Sequence, residues 1–168
     1  MSMILNTDLN VSFDRMAVMV HDIERSCLNA GAYYLKEKVR EAFISKFPAA
    51  TKPVRQQTVS NGYKITKEQP LVDAVRQSKY ANNTVKVHIL GAGEAGSPLF
   101  MARFYEAGTQ ERYAKTIHGR KLSKPRRLGQ LTGYHYFMPT VEQNLDQATN
   151  IIGQVYEHKI DTVFKDGQ

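Results

Sequence analysis

At 168 residues the chain is long enough to bury one hydrophobic core, and 42% hydrophobic with 23% charged residues excludes a disordered chain. A single cysteine, Cys27, excludes an intramolecular disulfide and a cysteine-rich zinc site, and no run approaches the ~20 apolar residues that span a bilayer. The formal net charge is +7, and seven Lys/Arg against one acid between Gln110 and Gly133 supply +6 of it, so the rest of the chain is close to neutral. A charge this local describes one segment and its partner, not the whole fold.

The reading in chain order starts with Met3-Ile4-Leu5, an edge strand or a docking tail. The N-terminus has no basic leader, and His21 interrupts the apolar run Met16 to Val20, so no secretory signal is expected. A helix is predicted from Ser12: Ser12 caps, Asp14 suits the positive helix end, and Val11 and Met16 are spaced as a hydrophobic staple. One stripe runs through Met16, Val20, Ile23, Cys27 and Ala30, and a second through Leu28, Ala32, Leu35, Val39 and Ala42/Phe43. Phe47-Pro48 ends this helix, and Gly31 is a point where it could bend. Within it, Cys27 is expected to be a buried structural thiol.

Pro48 to Pro70 reads as an extended loop, with Asn61-Gly62 as a tight turn between Thr58-Val59 and Tyr63-Lys64-Ile65. A short helix is predicted over Leu71 to Lys79, with Leu71, Val72 and Val75 inward. Thr84 to Leu90 alternates as a strand, with Val85, Val87 and Ile89 toward the core and His88 on the opposite, solvated face. Gly91 to Gly96 matches G-x-G-x-x-G, but Ser97-Pro98 follows where a dinucleotide fold needs a helix, so a hairpin loop is expected. Leu99 to Tyr105 reads as a returning strand, although Met101-Ala102-Arg103 also fits a helical turn, and Gly108 marks a turn or bulge. Tyr134 to Phe137 reads as a third strand. Thr140-x-x-Gln143 is a capping box opening a C-terminal helix whose apolar face is Val141, Leu145, Ala148, Ile152, Val155, Tyr156, Ile160 and Val163. The expected architecture is a single α+β domain over 1–168. In it a small antiparallel β-sheet packs against a long N-terminal helix and a C-terminal helix, with a long basic loop between strands.

No catalytic or metal motif emerges. The five histidines are scattered, and none forms H-x-x-x-H or H-E-x-x-H. Glu106 and His118 are spaced to meet across the basic segment as an acid–base couple that, with nearby lysines, would mimic a nuclease site. Glu106, set among aromatics, is better read as a structural or intersubunit charge partner, so neither catalysis, cofactor nor metal is expected. The basic segment 110–133 holds Arg112, Lys115, Arg120, Lys121, Lys124, Arg126 and Arg127. It reads either as a solvated loop or as a surface for nucleic acid or a protein partner. Tyr113 is placed to stack on a base. No base-reading motif accompanies it, so contact with nucleic acid would be sequence-independent. Gly119, Gly129, Gly133 and Pro125 suggest a flexible arm that orders on meeting a partner.

Phe104-Tyr105-Glu106-Ala107-Gly108-Thr109 carries an aromatic–Glu–x–Gly–Thr pattern, and Tyr136-Phe137-Met138-Pro139 opens the last helix. With the preceding order of helix, irregular segment, short helix and strand, the chain resembles the tailed-phage head–tail joining, neck or tail-completion proteins and is similar to the minor tail protein Z group. Met101-Ala102 stands where that family usually has Tyr-Ala, and Thr140 stands where it commonly has a small residue. The resemblance implies a non-enzymatic virion part, made in the host cytoplasm and assembled as a homo-oligomeric ring at the portal–tail junction. Its partners would be its own copies and other neck, portal-adaptor and tail-tube proteins, with non-specific contact to packaged DNA and none to membrane. Phe104, Tyr105, Glu106, Gly108, Thr109, Tyr136 and Phe137 would then lie at the subunit interface. A free, non-specific nucleic-acid-binding protein acting through residues 110–133 is the alternative.

Overall fold

The computed structural model describes residues 4–60, 63–89, 97–117 and 120–166. Nine helices and strands follow one another among these residues: α1 (Ile4–Lys46), β1 (Pro53–Ser60), β2 (Tyr63–Pro70), β3 (Val75–Gln77), β4 (Val87–Ile89), α2 (Ala102–Ala107), β5 (Arg112–Ile117), β6 (Arg120–Gly129) and α3 (Phe137–Asp166). The class is α+β, as composition and periodicity indicated, with both long helices in place. The single sheet is replaced by three two-stranded sheets, β1–β2, β3–β4 and β5–β6.

Two compact units are distinguished. The first comprises Met1–Leu35, Gln77–Val87 and Asn144–Gln168, and the second Lys36–Arg76 and His88–Gln143. In the first, Ile23, Cys27 and Ala32 of α1 and Ala148 of α3 are buried, and Gly31 lies inside the continuous helix against Ile152. Tyr34 donates to Asn144 at 3.1 Å, and the Gln77 amide donates to the Asn29 side chain at 2.8 Å. Cys27 is a free, buried thiol, and desolvation raises its pKa. Several residues placed on the apolar stripes lie outward instead: Val20 is 64% exposed, Leu145 53% and Tyr156 54%. Helix α1 starts well before Ser12, so Ile4 and Leu5 belong to a helix and not to an edge strand.

In the second unit Val39 and Phe43 of α1 are wholly buried, together with Ala50, Leu71, Val72, Ala74, Val75, Leu99, Ala102 and Tyr136. Leu71, Val72 and Val75 face inward as expected, yet the element is a single 3-10 turn, Leu71–Ala74, running into β3. Arg40 reaches Asp73 at 2.7 Å and ties α1 to that turn. The predicted loop over 48–70 is mostly the β1–β2 hairpin, paired in register from Pro53↔Pro70 to Ser60↔Tyr63. Its turn residues Asn61-Gly62 lie outside the described residues, as do Leu90 and the glycine-rich run 91–96. The predicted strand over Thr84–Leu90 is shorter than expected, and Val85, Val87, His88 and Ile89 are all half-buried.

The returning strand predicted over Leu99 to Tyr105 is helical, and the cause is local. The Ser97 hydroxyl accepts from the Leu99 N–H, Pro98 pre-sets the first turn, and the chain runs through Pro98–Met101 into α2. Phe100 and Phe104, four residues apart, meet edge to face at 5.9 Å. Gly108 closes α2 with φ +76, its N–H donating to the Phe104 carbonyl, so it is a helix C-terminal glycine and not a strand bulge.

Candidate functional site

The residues from Phe104 to Thr109 and from Leu131 to Phe137 form one compact clamp. Thr109 N–H donates to the Leu131 carbonyl at 2.8 Å, and Leu131 N–H donates to the Thr109 hydroxyl at 3.0 Å. Tyr134 N–H donates to the Tyr105 carbonyl at 2.8 Å and His135 N–H to the Glu106 carbonyl at 3.1 Å. Two glycines let the segments approach. A Cβ on Gly108 would stand 2.8 Å from Gly133 N and from Leu131 O, and one on Gly133 would stand 2.5 Å from Glu106 O. Gly133, expected to lend flexibility, instead packs against the backbone of Glu106 to Gly108 in the clamp.

Glu106 explains the acidic position of the motif. Its carboxylate accepts from Tyr136 N–H at 2.9 Å and from Phe137 N–H at 3.2 Å. These are orphan donors at the start of α3, where a negative group also meets the positive end of the helix dipole. The cap thus comes from thirty residues upstream in sequence, and Thr140 is not the cap. Thr140 lies inside the first turn, its hydroxyl donating to the Tyr136 carbonyl at 2.6 Å. The strand predicted over Tyr134 to Phe137 does not form, because His135 has φ +48 and the chain turns directly into the helix. Glu106→Ala is expected to lower stability by about 2 kcal/mol, the scale for losing a cap and leaving a part-buried N–H unpaired. Urea unfolding with an unchanged m-value would check this.

An aromatic stack backs the clamp. Tyr136 lies flat on Phe43 (4.7 Å between centroids, 2° between planes), and Phe47 stacks on Tyr105 at 4.2 Å. Tyr136 is 3% exposed, and burial, with Glu106 nearby, pushes its phenol well above the ordinary tyrosine pKa. Its hydroxyl has no hydrogen-bond partner among the described residues. Tyr136→Phe is therefore expected to be neutral or to stabilise by up to about 1 kcal/mol, since it removes an unsatisfied polar group and keeps the stack. Thermal unfolding checks it, and a loss of several degrees would contradict it.

Of the seven residues expected at an interface, Tyr136 is buried, and Tyr105, Glu106, Gly108, Thr109 and Phe137 are half-buried. Phe104 is 42% exposed. The motif is thus brought together inside the subunit. Glu106 is occupied by backbone donors, and its proposed acid–base partner His118 lies outside the described residues. Among the described residues no cluster of three His, Cys, Asp or Glu is placed to hold a metal ion.

What the clamp holds is the basic segment, which is a hairpin and not a loop. Its pairs run Arg112↔Gly129, Tyr113↔Arg127, Ala114↔Arg126, Thr116↔Lys121 and Ile117↔Arg120, with register shifts after Arg112 and after Ala114. The second irregularity takes in Lys124 and Pro125, which explains how a proline is tolerated inside β6. Tyr113, Thr116 and Ile117 are the strand formers on β5 that favour the hairpin. All seven cations, Arg112, Lys115, Arg120, Lys121, Lys124, Arg126 and Arg127, are exposed. Among the described residues only Arg127 has a carboxylate partner, Glu111, which also accepts from the Tyr113 hydroxyl at 2.7 Å. Tyr113 and Leu128 are 53% and 56% exposed.

The chain matches no family model, no curated protein and no solved structure with which it was compared.

Proposed function

We propose that this protein is a structural, non-enzymatic part of a tailed-phage neck. Its copies form a ring at the portal–tail junction that completes the tail or joins it to the DNA-filled head. The observation that carries the reading is the clamp: the Glu-x-Gly-Thr residues spend their chemistry on fixing the base of a cationic hairpin and the start of α3. A site built this way supports a role in positioning a surface. Exposed apolar side chains support association as well. In the first unit Val18, Val20 and Tyr156 are more than half exposed beside an apolar groove of about 450 Å³ lined by Val20, Ile23, Cys27, Leu28, Ile152 and Tyr156. Burial of that face against the next copy is what a ring supplies. The test is complementation. Particles assembled without the protein should accumulate as separate filled heads and tails, and adding the purified chain should join them; normal virions without it would sink the reading.

The exposed cations and Tyr113 favour a second reading, a free protein that binds nucleic acid without sequence preference. It predicts tight binding of duplex by the isolated chain, with a log–log salt slope of about −0.9 for each phosphate neutralised. Weak binding with a shallow slope rejects it.

A further inference from the structure

We infer that the β5–β6 hairpin of one copy docks on the outward face of α3 of a second copy, in a head-to-tail contact matched by charge. The inference deepens the ring reading and rests on it only for the premise that copies associate.

Helix α3 carries a continuous exposed row at steps of three and four residues: Glu142, Asp146, Asn150, Gly153, Glu157 and Asp161, all exposed and opposite the buried Ala148. Four of the six are acids and none is basic. None of these four acids has an ion pair among the described residues, whereas the hairpin offers six exposed cations without one. The dimensions agree. From 142 to 161 the row is about 28 Å long at 1.5 Å per residue, and the hairpin strands extend about 20–30 Å at 3.3 Å per residue.

Gly153 is the independent observation. A glycine inside an exposed helix costs about 1 kcal/mol relative to alanine, and here a Cβ would meet nothing within 4 Å. Packing within the chain does not require this glycine. It leaves a shallow saddle at the middle of the acidic row, which lets the backbone of a strand laid along the row come close to the helix. The row meets the apolar groove at Gly153, beside Ile152 and Tyr156, so the exposed Tyr113 and Leu128 of the docking hairpin have an apolar surface to cover. An acidic row that meets an apolar groove at Gly153 selects a basic hairpin with apolar residues over a nucleic acid. Because the two patches differ, the contact is heterologous and closes into a ring or runs on as a filament.

The experiment uses the full chain in sedimentation velocity at low and high salt. The wild type is expected to associate at low salt and to dissociate as salt rises. One variant reverses the hairpin (Arg120→Glu, Lys121→Glu, Lys124→Glu) and another reverses the helix row (Glu142→Lys, Asp146→Lys, Glu157→Lys, Asp161→Lys). Each alone should associate at least about tenfold more weakly, the scale for several rim charges acting together. Mixing the two should restore association, because each then presents the sign the other lacks. Gly153→Leu should raise helix stability and still weaken association. Reversed variants that associate as the wild type does would overturn the contact and leave the ring reading standing on another surface. A wild type that stays monomeric at every salt and binds duplex instead would overturn the contact in favour of nucleic acid. Failure of complementation with association intact would remove the ring reading alone.

Discussion

Gly108→Ala is expected to destabilise the protein by about 3 kcal/mol or more, a large share of the roughly 5–15 kcal/mol that holds a domain folded. Gly108 has φ +76 and ψ −174, a region that costs other residues on the order of 1–3 kcal/mol. The new methyl would also stand 2.8 Å from Gly133 N and Leu131 O, and backbone cannot rotate away as a side chain can. The clamp would have to open, breaking the paired Thr109 and Leu131 hydrogen bonds. Gly129→Ala is the control: φ is +88 there, but nothing lies within 4 Å of a Cβ, so only the conformational cost remains. Denaturant midpoints should therefore fall much further for Gly108→Ala than for Gly129→Ala. Equal losses would mean that the close approach at the clamp carries no energy.

Phe43→Ala is expected to cost about 3–5 kcal/mol, the range for deleting a fully buried aromatic ring and leaving a cavity. Phe43 has no exposed surface, stacks on Tyr136 and lies 6.2–6.3 Å from the rings of Phe47 and Tyr105. Its loss removes the wall against which Tyr136, and through Glu106 the start of α3, is held. The near-ultraviolet circular dichroism of the tyrosine cluster should weaken along with the thermal midpoint. Phe43→Leu should recover much of the stability and little of that signal, since it fills volume without stacking.

The parts of the fold legible in the sequence were those whose cause is local and repeated. Ile23, Cys27, Val39 and Phe43 recur at helical spacing over a helix of 43 residues, and Phe47-Pro48 stops it where expected. Ala148 and its neighbours did the same for α3. What escaped the sequence has causes that are short or distant. Helix α2 is six residues long, too brief for periodicity to register, and its signals were a serine cap, a proline and one Phe–Phe pair. The start of α3 is capped by Glu106, a partner thirty residues away that no local pattern can name. The hairpin hid behind its glycines and Pro125, which a bulge absorbs, and behind a charge run that masks the strand formers Tyr113, Thr116 and Ile117 on β5. The Glu-x-Gly-Thr residues were legible as a group, but the reason for each emerged only once the backbone of 131–137 stood opposite them.

One physical picture joins these results. Aromatic packing fixes a clamp, the clamp fixes the base of a cationic hairpin, and we propose that the hairpin meets another molecule of the assembly. The most direct test is to replace residues 112–129 with a two-residue turn and ask whether the purified chain still joins filled heads to tails. Arg112 and Gly129 are partners in register, so a short turn closes the cut without disturbing the clamp. The account predicts a chain that unfolds cooperatively near the wild-type midpoint and does not join particles. Joining at the wild-type level by the hairpin-less chain would contradict it.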